Sequence, residues 1–90
     1  MFTKQDQRWV FHRDALPQEA GPGVVRRVLA YNSQLMCVEN QFEQGAVGAL
    51  HSHPHTQITY VASGRFRFTI GDETKEVKAG DTLLKQNDII

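Results

Sequence analysis

The spacing of turn residues constrains the fold of this chain more than any other feature of its sequence. From Val24 onward, short runs of apolar and β-branched residues alternate with Gly, Asn, Ser and Asp, at intervals of roughly 8–12 residues. No segment after Gly23 has the 3.6-residue period of an amphipathic helix. Many short strands in close succession are typical of a sandwich or a barrel. The sequence therefore predicts an all-β domain.

One of the predicted strands alternates cleanly between apolar and polar residues. Phe66 and Phe68 would share one face of it with Ile70, while Arg65 and Arg67 would share the opposite face. Gly71 and Asp72, directly after this strand, indicate a hairpin. The predicted strands span residues 24–31, 35–43, 57–62, 65–70, 73–77 and 81–85, with a short extended segment over 46–53.

The first 23 residues are expected to form an N-terminal strand and loop segment, and residues 24–90 the main domain. Prolines and glycines between 16 and 23 separate the two, and the first part is too short to fold alone. A helical turn is expected over 14–19. Cys37 is the only cysteine, which excludes an intrachain disulfide, and its apolar neighbours Met36 and Val38 predict a buried thiol.

The charge balance excludes several classes of function. Ten basic and ten acidic side chains cancel, and no basic run is longer than Arg26-Arg27, so a nucleic-acid partner is not expected. No apolar run approaches the roughly 18 residues of a membrane span. The first eight residues are too polar for a signal peptide. A cytoplasmic protein is the expectation.

Three of the four histidines, His51, His53 and His55, lie within five residues. Alternate side chains of an extended chain point to the same side, so His51 and His53 would project together, about 7 Å apart. Two imidazoles at that separation can converge on one metal ion, and Gln57, of the same parity, could add an amide oxygen. Pro54 interrupts the strand ladder and leaves the role of His55 open.

A polar loop of solvated histidines is the simpler interpretation of any single His-x-His. The context here favours a metal site, because a hydrophobic strand follows the histidines directly and Gly45 and Gly64 bracket the segment.

The same segment resembles the first motif of the cupin superfamily, which runs Gly, five residues, His-x-His, three or four residues, Glu, six residues, Gly. Gly45, His51, His53 and Gly64 match this spacing, and Gln57 stands at the glutamate position. The resemblance implies a single cupin barrel, a jelly-roll or double-stranded β-helix. It also implies that His51, His53 and Gln57 bind one divalent metal ion: nickel, zinc, iron or manganese.

Over residues 24–85 the chain is similar to the pectin-degradation cupins called KdgF. The strings 25–31, 45–57, 58–61 and 63–64 carry this similarity, and the sequence His-Pro-His-x-Gln is characteristic of that group. The resemblance implies a sugar-acid substrate, a homodimer, and conversion of 4,5-unsaturated galacturonate or mannuronate monomers into linear keto-sugars. His55 is the candidate for holding a metal ligand in place or for transferring a proton. Arg65 and Arg67 are candidates for the substrate carboxylate, although their parity favours an exposed face.

The second cupin motif runs Gly, five residues, Pro-x-Gly, two residues, His. Counted from Gly80, Gln86 and Asp88 stand at its proline and glycine positions, and the chain ends at Ile90, immediately before the histidine position. The expectation is a barrel that lacks its last strands, with an exposed edge that favours pairing. A C-terminal Asp-x-Phe-x-Pro-x-Arg-like segment of the family is not in this sequence. Catalysis is therefore expected of an intact parent protein.

Two other functions stay open at this stage. One is another metal-dependent cupin activity, such as a sugar isomerase or a dioxygenase. The neutral Gln57 argues mildly against a dioxygenase, because non-haem iron sites use two histidines and a carboxylate. A non-catalytic cupin, serving as a sugar-binding or dimerisation module, is the other.

Overall fold

A computed structural model describes residues 3–48 and 56–86, and in these ranges all regular structure apart from one 3-10 turn is β. The all-β prediction is confirmed. The chain divides into two compact units, an N-terminal unit, Met1–Gly48, and a C-terminal unit, Ala49–Ile90. The described elements are the 3-10 turn His12–Asp14 and the strands β1 (Gln18–Gly21), β2 (Val24–Tyr31), β3 (Met36–Phe42), β4 (Thr56–Tyr60), β5 (Arg65–Ile70), β6 (Glu73–Lys78) and β7 (Thr82–Gln86).

The N-terminal unit is an antiparallel sheet in the order β1-β2-β3. β2 begins and ends where the sequence predicts, because its β-branched residues suit a pleated, half-buried surface. Val24 pairs with Phe42 and Val28 with Val38, so these four apolar side chains share one face. Val24 is the most buried of them, at 7% exposure.

The residues before β1 are tied to this sheet by hydrogen bonds. The Thr3 hydroxyl donates to the carbonyl of Val28 at 2.9 Å, and the Asp6 N–H donates to the carbonyl of Tyr31 at 2.9 Å. Ala15 is buried, whereas Trp9 is exposed. The predicted division between residues 23 and 24 stays a prediction, although β1 and β2 pair across it.

Two expectations for this unit are wrong. The helical turn lies at His12–Asp14 rather than over 14–19, because residues 18–21 pair with β2 and their backbone groups are satisfied in the sheet. Cys37 is exposed rather than buried. Because side chains alternate along a strand, Cys37 shares its face with Glu39 and Gln41, opposite the face of Val38.

In the C-terminal unit, β5 and β6 form the predicted hairpin. Gly71 has φ +61° in the connecting turn, a conformation that glycine adopts without steric cost. Phe66 lies opposite the buried Val77, and its ring centroid is 5.9 Å from that of Phe68. Arg65 lies on the opposite face, and it is exposed, as the alternation predicts.

The second pair of this unit joins β4 to β7, antiparallel. A turn before β7 aligns the two strands: the Val61 N–H donates to the carbonyl of Asp81 at 3.0 Å, and the Gly80 N–H donates to the carbonyl of Val61 at 2.8 Å. The Asp81 carboxylate accepts a hydrogen bond from the Lys78 N–H at 2.8 Å and closes the turn. This pair carries the predicted ligand Gln57.

Candidate metal centre

Gln57 lies near the start of β4, on the more sheltered of the two faces of the β4–β7 pair. It is half-buried, as is Thr59, the next residue on that face. Ile58, between them, points to the opposite face and is 71% exposed. Gln57 and Thr59 therefore share the more sheltered face of β4. The common parity of Gln57 with His51 and His53 stays a prediction.

The carboxamide of Gln57 is oriented in a way that suits a metal ligand. Its Nε2 donates to the Thr59 hydroxyl at 3.5 Å, which directs the nitrogen along the strand. Its Oε1 accepts no hydrogen bond from any residue of 3–48 or 56–86. A neutral amide oxygen with free lone pairs can bind a divalent ion, so Gln57 fits the role that the spacing assigns to it.

Lys85 is a buried residue beside Gln57 that the sequence analysis does not single out. It lies directly opposite Gln57 in the β4–β7 register, and it is 3% exposed. Residues directly opposite each other in an antiparallel pair point to the same face, with Cβ atoms about 4.5–5.5 Å apart. Lys85 is two residues after Leu83, so the sequence predicts that both side chains lie on the same face of β7. Only the register of β7 against β4 places Lys85 beside Gln57.

The other predicted ligands, His51 and His53, and the candidate His55 lie outside the described residues. Within the two described ranges, no three His, Cys, Asp or Glu side chains lie close enough together to hold a metal ion. The proposed site therefore depends on the histidine segment, and its assignment stays a prediction.

The remaining candidates lie away from Gln57. Arg65 and Arg67 are exposed on the outer face of β5, and Arg65 Nη1 is 3.7 Å from a carboxylate oxygen of Glu76. This arrangement is that of a solvated ion pair between strands, which contributes little to stability. His12, the histidine outside the cluster, is exposed, and its Nε2 lies 2.8 Å from Glu39 Oε1.

Sequence and structure comparisons place the chain in one family. The Cupin domain model matches residues 39–87. The solved structure of an RmlC-like cupin from Shewanella frigidimarina NCIMB 400 superposes with a TM-score of 0.89 and 30% sequence identity, over 97% of this chain and 78% of that one. The chain belongs to the cupin family, and its fold is the cupin barrel.

Within this family, the chain is similar to a pectin degradation protein. It is 38% identical over 79 residues to the pectin degradation protein KdgF of Dickeya dadantii strain 3937, a match that covers 86% of this chain and 72% of that protein. The similarity to KdgF-type cupins that the motif residues predict is therefore confirmed. In the part of the chain that the structure describes, no helix is long and apolar enough to cross a membrane.

Proposed function

We propose that this protein converts 4,5-unsaturated uronate monomers into linear keto-sugars in a metal-dependent isomerisation. The observation that carries the proposal is the 38% identity to a pectin degradation protein across most of the chain. The position of Gln57 supports it, because this residue lies on a sheltered face and its Oε1 accepts no hydrogen bond from residues 3–48 or 56–86.

His51, His53 and Gln57 would hold the ion, and nickel, zinc, iron and manganese all accept such a set of nitrogen and oxygen ligands. Bound there, a divalent ion would supply a Lewis acid that polarises a sugar oxygen. None of the three ligand side chains carries a negative charge. The ion and its ligands would therefore carry a net positive charge, which favours the binding of a substrate that has a carboxylate.

The proposed reaction gains and loses no atoms. The C1 hydroxyl of the cyclic sugar loses its proton as the C1–O5 bond breaks, and O5 takes up a proton, which leaves an aldehyde at C1 and an enol at C5. The enol then loses its hydroxyl proton while C4 gains one, which gives the ketone. We assign the proton transfers to His55, a side chain of the type that most often moves protons near neutral pH.

Metal analysis tests the ligand assignment. The purified protein is compared with a variant carrying both His51→Ala and His53→Ala, and with His12→Ala as the control histidine. Stoichiometric metal in the parent protein and in the control, with loss in the double variant, is expected. Metal in all three proteins, or in none, would show that these histidines do not form the site.

A substrate assay tests the reaction. Unsaturated galacturonate and mannuronate monomers are incubated with the protein, and the ultraviolet absorbance of the C4=C5 double bond is followed while NMR identifies the product. Loss of the absorbance with formation of the linear keto-sugar is expected. Turnover of neutral sugars or consumption of oxygen instead would favour another metal-cupin activity, and binding without turnover would favour a sugar-binding module.

A homodimer in the cytoplasm completes the proposal. The free and exposed Cys37 supports the compartment, because a reducing environment keeps such a thiol from forming disulfides. An exposed apolar face on the β4–β7 pair supports the dimer.

A further inference from the structure

Arg26 and Arg27 are adjacent on β2, so their side chains lie on opposite faces of the N-terminal sheet. Both are half-buried, and the Nε of each is buried without a hydrogen-bond partner. Only Arg27 has a counter-charge: its Nη1 lies 3.5 Å from Glu39 Oε1 and donates to Gln41 Oε1 at 3.3 Å. The guanidinium of Arg26 forms no hydrogen bond or ion pair within residues 3–48 and 56–86. A sheltered cation without a counter-charge is unfavourable, so Arg26 is a candidate site for an anion.

The strand register fixes the neighbours of Arg26. Gln18 lies directly opposite it on β1, and Asn40 lies directly opposite it on β3. Residues that are direct partners in an antiparallel pair point to the same face, with Cβ atoms about 4.5–5.5 Å apart. Two exposed carboxamides therefore flank the guanidinium in one row across the three strands. The pairs on either side of this row are uncharged: Val24 with Phe42, and Val28 with Val38.

A small, mainly apolar pocket lies on the same face of the sheet. Its volume is about 220 Å³, and it is lined by Thr3, Leu16, Gln18, Val28, Tyr31 and Met36. Two of these residues connect the pocket to Arg26. Gln18 is the direct partner of Arg26, and Val28 follows it by two residues on β2, about 7 Å along the strand. The guanidinium and the pocket are therefore neighbours.

A β-bulge brings an aromatic ring to this pocket. Val28 pairs with Val38 and Tyr31 pairs with Met36, so β2 has one residue more than β3 between the two pairs. Without the extra residue, Tyr31 would have the opposite parity to Val28. With it, both side chains line the pocket. Bulges of this kind redirect a side chain and are common beside binding sites.

We propose that Arg26 and this pocket form a binding site for a small organic acid with an apolar body. The carboxylate would contact Arg26, because a planar guanidinium donates two parallel hydrogen bonds to a carboxylate. The apolar body would occupy the pocket, whose volume is below the roughly 300–1,000 Å³ of sites for drug-sized ligands. A sugar acid is a poor fit, since its hydroxyl groups would lose hydrogen bonds to water against the apolar side chains. The inference is thus independent of the proposed reaction.

Three probes separate the two parts of the ligand. Benzoate has both a carboxylate and an apolar ring, acetate has only the carboxylate, and benzyl alcohol has the ring without the charge. Each is titrated into the ¹⁵N-labelled protein, and the NMR signals of the backbone amides are followed. Benzoate is expected to shift the amides of Val28 and Tyr31 and to bind at least roughly tenfold more tightly than either other probe.

Equal affinity for benzoate and benzyl alcohol would overturn the role of Arg26, and equal affinity for benzoate and acetate would overturn the role of the pocket. Shifts confined to β4 would place the acid at the candidate metal centre and would also overturn the proposal. These outcomes need only the parent protein, so they do not depend on how a variant folds.

A matched pair of variants tests the guanidinium directly. Arg26→Gln removes the unpaired charge, and Arg27→Gln removes the adjacent charge, which already has Glu39 beside it. Arg26→Gln is expected to weaken benzoate binding roughly 10- to 100-fold and to leave benzyl alcohol binding unchanged. Arg27→Gln is expected to change neither. Equal effects of the two substitutions on benzoate would show that Arg26 does not bind the carboxylate.

Discussion

A single amide in place of a carboxylate changes the chemistry expected of the site. Gln57 stands at the position that is glutamate in most cupins, and its Oε1 is free of hydrogen bonds from the described residues. A glutamate would neutralise part of the charge of a divalent ion, whereas glutamine leaves it in place for a substrate carboxylate. We therefore expect Gln57 to affect substrate choice as well as metal affinity.

Substitution of Gln57 separates these effects. Gln57→Leu removes the amide oxygen and is expected to weaken metal binding at least about tenfold, a loss of roughly 1.4 kcal/mol or more. Gln57→Glu is expected to retain or tighten metal binding while weakening the binding of galacturonate. Titration with zinc and with galacturonate measures both, and Gln44→Leu, at an exposed position, is the control. Unchanged zinc affinity in Gln57→Leu would exclude this residue as a ligand.

A second residue-scale prediction concerns the first motif glycine. Gly45 has φ +83°, and a Cβ built there would meet no atom within 4 Å. Gly45→Ala should therefore destabilise the fold by about 1–2 kcal/mol through backbone strain alone. Gly21→Ala is the matched control, because Gly21 also has open space but lies outside the positive-φ range. Urea unfolding of both variants measures the difference, and equal stability would disprove a conformational requirement at Gly45.

At the scale of elements, the connection between β2 and β3 depends on one side chain. The Asn32 carboxamide oxygen accepts hydrogen bonds from the N–H groups of Gln34 and Leu35, both at 2.9 Å. The Asn32 N–H also donates to the carbonyl of Leu35 at 2.9 Å. These bonds hold the turn that sets the register of the two strands.

Asn32→Ala removes both side-chain hydrogen bonds and is expected to lower the free energy of unfolding by about 1–2 kcal/mol. Ser33→Ala, at the next and exposed position, should change it by less than about 0.5 kcal/mol. Thermal or urea unfolding monitored by circular dichroism gives both values. A loss of the same size in Ser33→Ala would mean that the turn is not stabilised by the Asn32 side chain.

At the scale of the whole molecule, one exposed face accounts for the proposed dimer. Ile58, Tyr60 and Leu84 lie on the outer face of the β4–β7 pair and are 71%, 66% and 56% exposed. Ile58 and Leu84 are direct partners in the register, so the apolar side chains are contiguous. Contiguous apolar surface of this kind is typical of contact with another protein, and we propose a second copy of this chain.

Light scattering on a sizing column tests the dimer. A variant with Ile58→Asp and Leu84→Asp is expected to be monomeric under conditions in which the parent protein is dimeric, since two carboxylates cannot be buried in the interface. Leu35→Asp places the same charge on a residue that is 77% exposed in the β2–β3 turn and should leave the dimer intact. A monomeric parent protein would disprove the proposal.

The fold class and the positions of strands β2 to β7 follow from the amino-acid sequence alone. β2 and β5 have the predicted bounds, and the other predicted strands differ at their ends by one or two residues. These features are local, because turn residues and two-residue alternation act on neighbours along the chain.

The sequence does not show which residues meet across strands, because these contacts join distant segments of the chain. The pairing of β1 with β2 replaced an expected helical turn, and the polar face of β3 exposed Cys37 despite its apolar neighbours. The register of β7 against β4 placed Lys85 opposite Gln57. The physical reason is that register depends on hydrogen bonds and packing between segments far apart in sequence, and a shift of one residue would turn every side chain to the other face.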